Sequence, residues 1–374
     1  MTSSTSEVVI CGGGVIGAAI AYYLGKRGVH VTIIEADAVA SGASGAAAGL
    51  LSPPPVGGIG EPPAELQARG SAMHDDLAKT LPEESGVAYG FTRTRRVLLA
   101  ATDEEERMLR SLVERAQHAG QEAQWLAPAE VTALCPWIDR PGLGGMVRPE
   151  TVGQLDPYRY TLALIAAAER MGATVRSGRV TELVRSGGRA TGVRVGETTI
   201  EADAVVIAMG PWSIEAGEWL GMAVPVEPLK GQIVKVRPPE ELPPFGFTNA
   251  GNYATTKDDG IVFLGTTEEE AGFDNAITDE ARDMILEFGT GFSSVLEQAE
   301  LLEQTACLRP LSTDGLPIMG RVPGLEGAYL ATGHGRQGIL MSPASGQAMT
   351  DLILDGSTDC IDLAPFDPAR FVAR

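Results

Sequence analysis

The stretch from Glu7 to Glu35 constrains this chain more than any other. Glu7-Val8-Val9-Ile10-Cys11 reads as a buried strand and is followed by Gly12-Gly13-Gly14-Val15-Ile16-Gly17, a G-x-G-x-x-G. From Gly14 to Arg27, the residues Ile16, Ala19, Ile20, Tyr23 and Leu24 recur at helical spacing, with Gly28 placed to end the helix. Residues 29–35 read as the next strand. This order makes a βαβ start on a parallel sheet. Gly12 permits a tight turn, Gly14 lets a pyrophosphate approach the backbone, and Gly17 lets helix and strand pack closely. The helix N-terminus faces the phosphates. Glu35 stands at the spacing that suits ribose hydroxyls. The expectation is a dinucleotide site, and this motif alone does not separate FAD from NAD.

Composition excludes several other classes. The chain has 374 residues, enough for one large core or two interleaved ones. Its net charge of −20 repels nucleic acid and anionic membranes, yet leaves room for a local basic pocket. Cys11, Cys135, Cys307 and Cys360 are far apart, so neither a disulfide framework nor a metal site is expected. No apolar run has the length of a membrane span, and a first strand near Glu7 leaves no room for a signal peptide. The expected location is cytoplasmic. His30, His74 and His118 have no partner at ligand spacing and read as structural or surface residues.

Along the chain, 40–63 is a Gly/Ala/Ser/Pro-rich loop with a short helix expected at Ala46–Leu51. Helices are expected at 103–119, 157–171 and near 279–290, and from Gly338 to about Leu354. Strands are expected at 174–176, 180–185, 190–195, 203–208, 231–237, 261–266 and 328–331. The fold class is α/β. A discontinuous Rossmann-like domain (1–80, 145–220 and 300–374) is interrupted by an α+β substrate domain on an antiparallel sheet (81–144 and 221–299).

Three further segments carry chemistry. Ser41-Gly42-Ala43-Ser44-Gly45-Ala46-Ala47-Ala48-Gly49-Leu50 has side chains small enough for its amides to lie against a flat or anionic ligand, or it is a flexible loop. Ala208-Met209-Gly210-Pro211-Trp212 ends a strand in a glycine, either beside a ligand or in an ordinary turn. The third comprises Cys307-Leu308-Arg309-Pro310, Asp314-Gly315-Leu316-Pro317 and Gly333-His334-Gly335-Arg336-Gln337-Gly338-Ile339. A helix N-terminus here would aim amide donors at a ring that gains negative charge on reduction.

Taken in order, these segments resemble the D-amino-acid oxidase family of flavoproteins, and within it the glycine oxidases of the thiamine-pathway type. The resemblance is strongest at 7–51 and 305–354. It implies FAD as cofactor. Val15, Ile16, Glu35, Ala36, Ala43, Ser44, Ala48, Gly49 and Leu50 match flavin-contacting positions, and Val180 matches the residue whose backbone meets the adenine. His334, Gly335, Arg336, Gln337, Gly338, Ile339 and Leu340 match the loop under the isoalloxazine. Arg309 matches the arginine for the substrate carboxylate, Arg336 a second arginine at the site, and Tyr253 a tyrosine that also reaches the carboxylate. Cys307 stands where related sarcosine oxidases carry a covalent flavin link, although a small buried residue is the plainer reading. The proline-rich loop Ser52–Gly58 implies a site entrance unlike the family's.

The implied reaction is hydride transfer from glycine or an N-substituted glycine (sarcosine, an N-carboxymethyl amine) to flavin N5. The imine hydrolyses to glyoxylate and amine, and molecular oxygen becomes hydrogen peroxide. The partners are thus a small amino acid with a free carboxylate and oxygen. The alternatives are a D-amino-acid or proline dehydrogenase that reduces a quinone, and a flavoprotein without turnover. A tRNA-modifying oxidase is chemically near, but the charge of −20 opposes it. Oligomeric state stays open, a homo-oligomer included.

Overall fold

The computed structural model describes residues 6–51, 62–118, 120–148 and 152–372. Its first sheet grows from the expected βαβ start. Ser6–Cys11 lies between Val31–Glu35 and Thr198–Ile207, parallel to both. Thr174–Ser177 and Ala328–Thr332 extend the two sides in parallel, and antiparallel Ile318–Arg321 closes one edge. A hairpin, Val180–Ser186 and Arg189–Val195, pairs with the first residues of Thr198–Ile207. The middles of the central strands are apolar because both sheet faces are covered there. Val8, Val9, Ile10 and Cys11 are all buried.

Helices Val15–Lys26, Pro62–Ser85, Pro157–Arg170 and Gly338–Leu354 pack on one another and share one core with this sheet. Val15–Lys26 is enclosed more fully than a single stripe requires. Val15, Ala18, Ala21 and Tyr22 join Ala19, Ile20 and Leu24 in the core, while Ile16 and Tyr23 stay partly exposed. Small residues permit the crowding. A Cβ on Gly346 would lie 2.8 Å from the Ala19 backbone. Gly28, at φ +74°, follows the helix as expected.

The second sheet has ten strands. Its main run is Glu300–Ser312, Val226–Arg237, Val262–Gly265, Asn252–Thr256, Phe245–Asn249, Thr92–Ala100, Gly144–Val147 and Gln124–Leu126. Its pairings are antiparallel apart from Phe245–Asn249 with Thr92–Ala100, which is parallel. Asp279–Phe292 covers its apolar face through Ile285 and Phe292. Asp103–His118 adds a smaller cluster around Leu109 and Val113.

Two expectations change. Residues 46–49 form no helix, and Leu50–Leu51 is a short strand paired with Gly153 and Gln154. The carbonyls a helix would use are engaged elsewhere: Ala48 O accepts from Lys257 Nζ at 2.6 Å and Gly49 O from Leu155 N at 3.0 Å. Gly49 is held at φ +66°, where a Cβ would overlap the Leu155 carbonyl. Glu300–Ser312 forms a strand where none was expected, and Arg309 sits inside it, opposite Leu229. The proline-rich segment 52–58 lies outside the described residues. We propose a two-unit division that follows the two sheets. Since Glu300–Ser312 belongs to the second sheet, the last boundary then falls near residue 313 rather than 300. Among the described residues no helix is long and apolar enough to cross a membrane.

Candidate active site

The strand ends of the first sheet and one face of the second enclose a cavity of about 650 Å³. Every residue expected to touch the cofactor lines it, except Gly17. A Cβ on Gly17 would overlap the Gly12 carbonyl oxygen and lie 3.2 Å from Ile10 Cγ2, so this glycine serves helix–strand packing, as its position in the motif implies.

One end of the cavity is built from backbone. Gly12, at φ +111°, has no space for a side chain, because a Cβ would overlap the Ala208 carbonyl oxygen. The two Gly-rich segments meet where Val15 N donates to Ser44 Oγ at 2.9 Å, so Ser44 caps the first helix. Glu35 Oε2 accepts from Gly13 N at 2.6 Å and Oε1 from Asp37 N at 3.0 Å. Each carboxylate oxygen keeps lone-pair capacity for a hydroxyl donor. Gly210, at φ +56°, accepts from Thr332 Oγ1 at 2.8 Å, which ties two strand ends together at the cavity wall.

At the other end the segment His334–Leu340 leads into the helix Gly338–Leu354. His334 is buried, with Nε2 3.1 Å from Ser345 Oγ. Burial pushes its imidazole down to about 3, so the ring is neutral at pH 7. Behind this segment, buried His74 places Nε2 2.9 Å from Ile339 O. A carbonyl only accepts, so Nε2 carries the proton. His74 is therefore structural, whereas His30 and His118 are exposed.

Arg309, Tyr253 and Arg336 line the cavity together. Tyr253 pairs with Gly265 across the sheet, and its hydroxyl lies 2.6 Å from where a Gly265 Cβ would stand. The next residue, Thr266, accepts from Arg309 Nη2 through Oγ1 at 2.7 Å, and Thr267 O accepts from Nη1 at 3.2 Å. The Arg309 guanidinium lies against Gly231, whose Cβ would overlap it. Burial raises the Tyr253 hydroxyl well above its ordinary value, against an opposing pull from Arg309, so it stays protonated. Burial also raises the Cys307 thiol. Arg336 lies at the rim, donating to Gly251 O at 3.3 Å and pairing with Glu268 Oε1 at 3.0 Å.

Sequence reading missed three residues here. Arg96 lines the cavity as a half-buried residue, and desolvation pulls its guanidinium down to about 10. Glu268 pairs with Arg336 at the rim and stands 3.9 Å from buried Arg309. Lys257 holds the Ala48 and Leu155 carbonyls from below, and burial pulls it down to about 7. None stands in a motif. The one available signal for Arg96 was the alternating run Thr92-Arg93-Thr94-Arg95-Arg96, which reads equally well as a surface strand.

FAD fits these walls. The Gly12 turn and the Gly17 packing leave Gly14 without a side chain where a pyrophosphate would approach, the Glu35 carboxylate stands at one end, and a helix N-terminus stands at the other. The family model for FAD dependent oxidoreductases (DAO) matches residues 7–352. A glycine oxidase of Geobacillus kaustophilus (strain HTA426) is 32% identical over 369 residues, covering 98% of each chain. The crystal structure of glycine oxidase from Geobacillus kaustophilus superposes with a TM-score of 0.92 at 32% identity, over 99% of this chain and 100% of the other. That of an iminodiacetate oxidase from Chelativorans sp. BNC1 does so with 0.87 at 27%, over 96% and 98%.

Proposed function

The chain belongs to the DAO family of FAD-dependent oxidoreductases, enzymes that act on CH–NH groups, and from that premise we propose that it oxidises glycine or an N-substituted glycine. The reaction is R-NH-CH₂-COO⁻ + O₂ + H₂O → R-NH₂ + OHC-COO⁻ + H₂O₂. The observation that carries this reading is the buried pair Arg309 and Tyr253, which line the same cavity as His334–Leu340. Bound FAD supplies the hydride acceptor and delivers the electrons to oxygen.

The protein's own part is orientation. Arg309 offers a planar fork to the substrate carboxylate, and the acceptors Thr266 Oγ1 and Thr267 O fix that fork from behind. Tyr253, held protonated, donates to the same carboxylate. With the carboxylate fixed, Cα is turned towards the His334–Leu340 side of the cavity, and positioning accounts for most of the rate. The amine reacts in its neutral form, so a dedicated base is not required once its proton is lost. The cytoplasm, where substrate and oxygen both diffuse freely, is the proposed location.

The test is oxygen uptake and peroxide formation with glycine, sarcosine, larger N-carboxymethyl amines, D-alanine and L-proline. Turnover of the glycine series supports the proposal. Turnover of D-alanine or L-proline alone refutes it. Flavin bleaching without oxygen uptake would move the enzyme to the dehydrogenases. Acid precipitation separates free from linked flavin: with Cys307 a plain buried thiol, the yellow colour leaves the protein.

A further inference from the structure

Arg309 and Arg336 do not share their negative partner equally. Glu268 Oε1 is 3.0 Å from Arg336 Nη1, a direct ion pair, but 3.9 Å from Arg309 Nη1. Arg336 has its charge matched by Glu268 and its remaining contact is a backbone carbonyl, Gly251 O. Arg309 is held by neutral acceptors at hydrogen-bond distance. Around Glu268, two cations and one anion leave one positive charge, on Arg309, and that charge is open to one substrate carboxylate.

We propose that Glu268 sets the charge specificity of the site: by occupying Arg336 it favours monocarboxylate substrates and disfavours those whose N-substituent carries a second carboxylate. This rests on the glycine-type substrate proposed above. A second carboxylate on the amine side would extend from the Cα held at Arg309 towards the rim, where Arg336 is the nearest cation of the pair and Glu268 already lies against it. The newcomer must either displace Glu268 or approach a like charge. Glu268 is 45% exposed, so water screens the repulsion without removing it. Arg96, also in the wall, is common to all variants compared below and cancels from the ratio.

Neutralising Glu268 makes Arg336 available. Two like charges about 6 Å apart at intermediate dielectric interact by an amount worth on the order of tenfold in an equilibrium constant. The measurement is the ratio of kcat/KM for iminodiacetate to that for sarcosine, in wild type, Glu268→Gln and Glu268→Ala. Glu303→Gln, which removes the same charge from an exposed pair with Lys235, controls for net charge. Both Glu268 variants should raise the ratio roughly tenfold, and Glu303→Gln should leave it unchanged. A second readout does not need turnover: dissociation constants of malonate and acetate, from perturbation of the flavin spectrum, should shift in the same ratio. An unchanged or lowered ratio in both readouts overturns the role of Glu268. A malonate shift in a protein that oxidises none of these amines would uphold Glu268 and sink the substrate proposal instead.

Discussion

Replacing Arg309 with alanine tests the substrate site most directly. The guanidinium side chain is 11% exposed, and its nearest carboxylate, Glu268, is 3.9 Å away, too far for a hydrogen bond. A substrate carboxylate in the cavity would therefore make the close ionic contact that Glu268 does not. At about 3 Å and an effective dielectric near 20, such a contact is worth about 5–6 kcal/mol. Measured truncations of buried charge pairs span about 2–5 kcal/mol, which is roughly a 30- to 5,000-fold loss in kcat/KM. The loss should appear in KM and kcat together, because a loosely held carboxylate also lets Cα drift from the reacting position. Arg309→Lys should recover only part, since a single ammonium cannot meet the two acceptors and the carboxylate as a planar fork does. Flavin content should be normal in both, because the contacts of Arg309 are to Thr266 and Thr267 and not to the glycine cradle. Oxygen uptake and the flavin absorbance of the purified variants decide it. Near-normal kcat/KM in Arg309→Ala, or loss of flavin without a specific loss of substrate affinity, would refute the assignment.

Two further outcomes follow from the framework. Lys257 is pulled from 10.5 to about 7 by burial, so between those values the unfolded state binds more protons and rising pH stabilises the fold, by about 1.4 kcal/mol per unit while the difference lasts. Lys257→Met should flatten the rise in denaturation midpoint between pH 7 and 9 relative to wild type, and an identical slope in both proteins would contradict the buried lysine. Gly17→Ala forces a Cβ against the Gly12 carbonyl oxygen, a backbone atom that cannot move without opening the turn. It should cost about 1–3 kcal/mol and lower flavin occupancy, so a variant with wild-type Tm and full flavin would show that the turn is not tightly packed.

The parts that were legible in the sequence are those where backbone geometry dictates residue type. Gly12 and Gly17 could be assigned roles because side chains are excluded there, and Glu35 because it ends a strand beside them. Arg309 and Arg336 were found through the order of motifs, not from any local pattern. What stayed hidden depends on long-range pairing. The helix Pro62–Ser85 went unread although Leu66, Leu77 and Leu81 are buried on it. The expected helix at Ala46–Leu51 followed its alanine content, and the competing pull of Lys257, far along the chain, was invisible. Arg96 and Glu268 read as ordinary charges in polar stretches. Only the fold brings one into the cavity wall and the other against two arginines.

The cavity takes its walls from Gly12 and Glu35, from Val180 and Gly210, and from His334 to Leu340, so its parts are scattered along almost the whole chain. A ligand that spans them acts as a non-covalent cross-link between the first and last thirds of the polypeptide. The folded state has already met the entropy of bringing those parts together, and the ligand binds that state alone. Apparent stability must then climb with the logarithm of free FAD above its dissociation constant. During synthesis the complete site cannot exist until residue 340 has emerged and its helix has docked on Val15–Lys26. The complete cofactor site is therefore a late product of synthesis, and a flavin bound across it would latch a finished fold.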